Sequence, residues 1–168
     1  ELFHSARVVP ATVSFVDIAG IVRGASEGEG LGNQFLANIR EADAICVVTR
    51  AFSDPDIVHV EGRVDPKGDI ETVTTELILA DMQTLEKQVP RLVKEVTGKK
   101  TPKDVLETAQ AALTLLEKGR VLSSGGADLD PAVLKSFGLM TTKPFIYVFN
   151  TDDAGLADEA MQAELRDF

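Results

Sequence analysis

Two short apolar runs, Ala44 to Thr49 and Phe145 to Phe149, are the segments of this chain best suited to buried strands, and 95 residues separate them. Antiparallel neighbours need only a tight turn, whereas parallel strands need a long crossover that is usually helical. A separation of this size predicts an α/β fold with a mostly parallel sheet. A further buried strand is expected from Val8 to Val16, a stretch rich in β-branched residues that runs into Asp17 and so delivers an aspartate at its tip.

The long connection between the two apolar runs does not read as a plain sheet-and-helix alternation. Met82, Leu85, Val89, Leu92 and Val96 recur at spacings of three and four, continuing Ile70, Val73 and Leu77 after a slip in register. Leu106, Ala109, Leu113 and Leu116 repeat the pattern beyond a break at Gly98 to Thr101. Thr101-Pro102-Lys103-Asp104 reads as an N-cap, a proline in the first turn and an acid near the positive helix end, and Gly119 as a stop. Asp69 to Arg120 is therefore expected to be an antiparallel helical hairpin of coiled-coil type, inserted into the α/β domain, with Pro90 kinking its first arm. Two ordinary surface helices would show the same periodicity, so that alternative stays open. The hairpin reading divides the chain into a first part of the α/β domain (1–68), the hairpin (69–121), and a connector with the second part of the domain (122–168).

Size and charge limit what such a fold can do. At 168 residues and 44% hydrophobic content the chain suits one folded core with a small appended module. A formal net charge of −10 argues against a protein that coats nucleic acid with its whole surface, but it leaves room for a local basic patch. The single cysteine, Cys46, lies inside an apolar run and is expected to be a small buried thiol; one cysteine builds neither a disulfide framework nor a zinc site. No apolar stretch approaches the roughly 20 residues that span a bilayer, and no basic-then-apolar leader opens the sequence. The expectation is a cytoplasmic protein with no membrane partner. The chain opens at Glu1 without a methionine and enters a strand-like segment almost at once, so natural sequence is expected to precede it.

Chemistry is concentrated at two places. Asp17-Ile18-Ala19-Gly20 leads into a loop crowded with Gly24, Gly28, Gly30 and Gly32, expected to be mobile from Ile21 to Gly32. A strand followed by an acid and then a glycine suits magnesium held through the aspartate and a terminal phosphate met by the glycine amide, although the same pattern also makes a structural turn. Asn150-Thr151-Asp152-Asp153 directly follows the Phe145 strand, where an asparagine amide can pin neighbouring loops and an acid can accept hydrogen bonds from a nucleotide base. The competing reading is an N-cap, with Asp152 or Asp153 opening a helix from Ala154 to Leu165.

The run from Phe15 to Leu36, with Asp17-Ile18-Ala19-Gly20-Ile21-Val22-Arg23-Gly24 near its start, closely resembles the switch II region of the YchF family of Obg-related ATPases. Ile57-Val58-His59-Val60-Glu61-Gly62-Arg63-Val64-Asp65-Pro66 and Thr75-Glu76-Leu77-Ile78-Leu79-Ala80-Asp81 resemble that family too, and the likeness extends from about Arg7 to Asp153. It implies a P-loop, G-domain-like hydrolase of ATP or GTP, dependent on Mg2+, cytosolic and associated with ribosomes. By the same resemblance Asp17 takes magnesium, Gly20 the terminal phosphate, and Asn150, Thr151 and Asp153 the base. Many related hydrolases place a water-orienting glutamine after the glycine. Here that position is Ile21, which cannot hydrogen-bond water, and His59 becomes the candidate base, against the alternative of a loop histidine packed on the sheet edge.

The sequence also departs from that family. No phosphate-binding loop of the form Gly-x-x-x-x-Gly-Lys-Ser/Thr occurs in the 168 residues. Gly28-Glu29-Gly30-Leu31-Gly32 is no substitute, because Glu27 and Glu29 would repel phosphate. The expectation is an internal piece, inactive alone, lacking the P-loop and the family's C-terminal domain. Asp153 stands where the family usually has glutamate, so the resemblance favours ATP at least equally with GTP while the aspartate itself suits guanine. Around the hairpin tip Arg91, Lys94, Lys99, Lys100 and Lys103 outnumber Glu95, which suits either contact with the ribosome or ribosomal RNA, or a solvated turn. A different class of function follows from the first of these: an RNA-binding module in which the hairpin does the binding and nucleotide acts as a switch.

Overall fold

The computed structural model describes residues 11–18, 31–52 and 64–166. Within them the order is α1 (Leu31–Glu41), β1 (Ile45–Arg50), α2 (Pro66–Thr97), α3 (Lys103–Glu117), α4 (Leu122–Gly125), α5 (Pro131–Ser136), β2 (Phe145–Asn150), α6 (Asp153–Ala157) and α7 (Glu159–Arg166). β1 and β2 pair in parallel, in register from Ile45↔Phe145 to Arg50↔Asn150. The expected parallel pairing across a helical crossover is thus present in these two strands.

The first expected strand is not. Residues 11–16 have no regular secondary structure, and Val13, Phe15 and Val16 are exposed; Val8 to Pro10 lie outside the described residues. β-propensity measures fit to a neighbouring pleated surface, and no described strand pairs with this segment. The two strands that do form are also half-buried, not fully buried. Val47 and Thr49 on one face of β1 are covered, whereas Cys46, Val48, Ile146 and Val148 are exposed. The buried thiol expected at Cys46 is therefore an exposed one, because strand alternation turns it to the face that no described helix covers.

α2 is continuous over 32 residues and starts three residues before the expected Asp69. Asp65 caps it by accepting from the Gly68 amide at 3.0 Å, and Pro66 occupies the first turn, where its missing N–H costs nothing. The chain then turns at 98–102 and α3 packs back against α2. Thr101 does not cap α3 as expected: Pro102 takes the N-cap position, and the Thr101 hydroxyl donates instead to Glu95 Oε2 at 2.9 Å. α3 stops as the glycine predicts. Gly119, at φ +70°, donates to Leu116 O and Arg120 to Leu115 O, the paired bonds of a left-handed helix cap. The helix continues through Pro90, which leaves one intrahelical hydrogen bond unmade.

Two apolar clusters hold these elements. Ile78, Leu85 and Leu92 of α2 pack with Ala109, Ala112 and Leu116 of α3 and with Leu122, Leu134 and Leu139 beyond it. Leu77 and Ala80 of α2 pack with Leu36 and Ile39 of α1 and with Met140. The register slip seen in the sequence falls where α2 passes from one cluster to the other: adjacent residues on a helix point about 100° apart, so Leu77 and Ile78 serve different cores. α4 and α5, which the sequence reading left as connector, close the first cluster with Leu122 and Leu134.

Between the clusters lies Asp81, with no exposed surface. Its carboxylate accepts from Met140 N at 2.9 Å, Thr141 N at 2.7 Å and Thr141 Oγ1 at 2.7 Å. Burial pushes its carboxyl above the ordinary aspartate value of 3.8, while the Met140 and Thr141 hydrogen bonds and the charge of Arg40 pull it down. Because the folded state holds this proton more tightly than the unfolded chain, the group's contribution to stability is fully present below pH 3.8 and declines as pH rises through the folded value. Asp81→Asn must set an amide NH2 against donors, and leaving buried donors unpaired costs about 1–3 kcal/mol. Chemical unfolding should find the variant less stable by about that amount, with the gap to wild type narrowing as pH rises above 3.8. A gap that widens with pH would contradict this assignment.

Candidate functional site

The carboxyl ends of the two parallel strands converge on one loop. β2 ends at Asn150, which is exposed and whose carbonyl accepts from Ala51 N at 2.7 Å, tying the loop after β2 to the end of β1. Asp152 is the N-cap of α6 and accepts from the Gly155 amide at 2.8 Å. The capping role open to either acid thus falls to Asp152, and Asp153, in the first turn, is exposed. The helix expected from Ala154 to Leu165 is broken at Asp158, whose carboxylate accepts from Ala160 N and Met161 N and starts α7.

Two hydroxyls here lack partners. Thr49 Oγ1, near the end of β1, and Thr151 Oγ1, just after β2, are buried and accept or donate no hydrogen bond among the described residues. A buried polar group left unpaired costs about 1–3 kcal/mol. A β-carbon on Gly155 would overlap the Thr151 hydroxyl and come within 2.9 Å of Met161 Cε, so glycine is required for the loop to close over this threonine.

Asp17 is exposed, and its neighbour Ile18 packs on the cluster that Ile45 and Phe145, the first residues of β1 and β2, also join. Asn150 closes β2 at the opposite end, roughly 17 Å along a six-residue strand. Asn150, Thr151 and Asp153 follow one another at the carboxyl end of β2 and the start of α6. Gly20, Ile21 and His59 lie outside the described residues, as does most of the glycine-rich loop from Ile21 to Gly32. Among the described residues no three acids, histidines or cysteines cluster to hold a metal. Magnesium asks for less, commonly one or two carboxylates completed by phosphate oxygens and water, and the exposed Asp17 carboxylate fits that smaller demand.

The far end of α2 carries the basic residues. Arg91 Nε donates to Glu95 Oε1 at 2.8 Å, and Lys103 pairs with Glu107 at 2.7 Å. Bonds from Arg91 and then Thr101 hold the Glu95 carboxyl below its usual range, with Arg91 and Lys100 adding their charge. Sequence reasoning named the five cations but not their partners, and it passed over Asp81. The signal for Asp81 was available: an acid four residues from both Leu77 and Leu85 stands on the apolar stripe of α2.

The chain is similar to known proteins. A family model described as "50S ribosome-binding GTPase" matches residues 3–93. That match covers more than half of the chain and places it in this family of GTPase domains. The "Ribosome-binding ATPase YchF" of Haemophilus influenzae is 43% identical over 99% of this chain and 47% of its own length. That of Bacillus subtilis is 45% identical over 94% of this chain and 44% of its own. The solved structure of the Schizosaccharomyces pombe YchF GTPase superposes with a TM-score of 0.67 at 30% identity, covering 83% of this chain and 40% of that one. The chain belongs to the YchF family, and it spans just under half the length of these bacterial relatives.

The Thr151–Gly155 contact makes a test of the loop. Gly155→Ala should destabilise the chain by about 1–3 kcal/mol, as overpacking does. Combining it with Thr151→Ala should recover most of that loss, because the overlapping hydroxyl is gone. Simple additivity in a double-mutant cycle of thermal unfolding would show that the two residues do not meet as described.

Proposed function

We propose that the whole protein is a cytoplasmic, ribosome-associated nucleoside triphosphate hydrolase that accepts ATP at least as well as GTP, and that this chain contributes the base-reading end of its nucleotide site. One observation carries the reading: Asn150, Thr151 and Asp153 lie together at the carboxyl end of a parallel strand pair, with the Thr151 hydroxyl and that of Thr49 buried without partners. Ligands of open α/β sheets bind at the carboxyl ends of their strands. The names of the relatives support the ribosome partner and the hydrolysis, and they divide over the base, ATPase in the bacterial proteins and GTPase in the fission-yeast one.

In this reading Asn150 pins the loop, the Thr151 hydroxyl gains the partner it lacks, and Asp153 accepts from the base edge. Asp17 is the carboxylate for magnesium, which when bound neutralises phosphate charge. Gly20 offers its amide to the terminal phosphate. Ile21, at the usual glutamine position, leaves water to be oriented by another group, for which His59 is the candidate. The division into 1–68, 69–121 and 122–168 is proposed with it, the middle part being a coiled-coil hairpin. A second reading makes that hairpin the working part, a ribosome- or RNA-binding module for which nucleotide is a switch; the basic tip favours it.

Without a phosphate loop in its sequence, the chain alone should bind ATP and GTP weakly in calorimetry with magnesium, and submicromolar affinity would sink that expectation. Base choice is read by competition in the whole protein. An aspartate can accept two hydrogen bonds from guanine, while adenine sets a ring acceptor against it; the proposal nevertheless expects ATP to compete at least equally. A GTP preference of about tenfold, or 1.4 kcal/mol, that weakens in Asp153→Glu would overturn it and assign base choice to this side chain.

A further inference from the structure

Among the described residues, side-chain burial does little to fix β2 along its axis. Phe145 and Phe149 are half-buried, while Ile146, Tyr147, Val148 and Asn150 are exposed. A strand without a fully covered face has a weakly specified register. Downstream, α6 and α7 bury no side chain, and the ion pair from α7 to α2, Glu164 with Lys67 at 3.5 Å, joins solvent-accessible groups of a kind worth little. The position of Asn150, Thr151 and Asp153 therefore comes from upstream, through β2.

The turn at 139–144 that leads into β2 is fixed on several sides. Thr142 Oγ1 donates to Leu139 O at 2.7 Å and Lys143 N to Met140 O at 3.1 Å, which closes the turn on itself. Pro144 O accepts from Ile45 N at 2.9 Å, Thr141 O accepts from Ser123 N at 2.8 Å, and Lys143 Nζ reaches the carbonyls of Arg40 and Ala42. The bond to α2 is made by Asp81, whose buried carboxylate accepts from Met140 N, Thr141 N and Thr141 Oγ1. A carboxylate is a costly way to join two apolar cores, since well-packed hydrophobic residues of similar volume are often as stable as a buried charge. What it adds is selectivity: its three bonds form at one position of the turn and no other, as satisfied buried networks do when they specify one arrangement.

We propose that Asp81 and Thr141 are positioning residues of the nucleotide site: their bond sets β2 along its axis and so holds Asn150, Thr151 and Asp153 where a base can bind. The inference rests on the nucleotide reading above and extends it to two residues at the other end of β2, a strand of roughly 17 Å.

The test uses the whole protein with magnesium, and compares hydrolysis of ATP with its inhibition by inorganic tripolyphosphate, which offers phosphates and no base. Thr141→Val keeps both backbone bonds to Asp81 but sets a methyl where the hydroxyl stood, so it should remain folded in thermal unfolding and still shift the turn. Misplacing a site by about 1 Å can cost about 100-fold, and a smaller shift should raise KM for ATP about three- to tenfold. The value of kcat at saturation and the tripolyphosphate inhibition constant should stay within about twofold of wild type. Thr141→Ser, which keeps the hydroxyl, should restore KM, and Asp81→Asn, where folded, should raise it as Thr141→Val does. Mutations more than about 10 Å apart normally act independently. Combined with Asn150→Ala, Thr141→Val should nonetheless add nothing to the rise in KM, because both act on one base contact. An unchanged KM in folded Thr141→Val, a fall in kcat in its place, a parallel loss of tripolyphosphate affinity, or losses that multiply in the double variant would each overturn the proposal. A wild type that binds no nucleotide overturns the site reading on which it rests; a wild type that binds ATP beside variants that match it overturns this inference alone.

Discussion

A single carboxylate without solvent exposure sets where the main elements of this chain lie. Asp81 faces out of α2 into the turn at Met140 and Thr141, accepting both backbone N–H groups and the threonine hydroxyl. That turn then feeds both cores, Leu139 to one cluster and Met140 to the other. A few residues on, Lys143 donates to the carbonyls of Arg40 and Ala42, a cation at the negative end of α1. The start of β2 and the end of α1 are therefore both positioned from one point on α2. Hydrophobic burial supplies most of the stabilising free energy but is non-directional; the hydrogen bonds to Asp81 supply direction.

That direction decides the register of the strand pair. Phe145 follows the pinned turn and aligns with Ile45, and from there the ladder runs to Arg50 and Asn150. A slip of β2 by one residue would turn each of its side chains to the opposite face and break the Ile45↔Phe145 to Arg50↔Asn150 alignment. It would also move Asn150 and Thr151 away from the end of β1. The loop that carries the candidate site thus inherits its position from a contact at the other end of the strand.

How much of this was legible in the sequence depended on whether the signal was local. The 3–4 spacing of Leu85, Leu92, Ala109 and Leu116 identified the packed helix pair, because a helix's buried face is written in its own sequence. Gly119 marked a stop because few other residues adopt its left-handed backbone. The loop at Asn150 was found because it follows a strong apolar strand. Tertiary choices were not legible. Val8 to Val16 has strand composition but, over residues 11–16, no partner among the described residues. Cys46 looked buried because an apolar run does not say which of its faces is covered. Either Asp152 or Asp153 could have capped α6, and geometry chose the first. At the tip the excess of positive charge was plain, whereas the pairing that silences Arg91 and Lys103 depends on rotamers that no pattern encodes.

The continuity of α2 has a mechanical consequence. At 1.5 Å per residue its 32 residues make a rod of about 48 Å, of which about 30 Å extends beyond Leu77, where α1 and Met140 grip it. A tilt of only about 5° at that grip would sweep the tip through roughly 2.6 Å over such an arm, close to half the rise of a helical turn. Small adjustments beside the sheet are therefore enlarged at the lysine-bearing end, and α3, packed along the rod, stiffens the outer arm in which Pro90 leaves a backbone bond unmade.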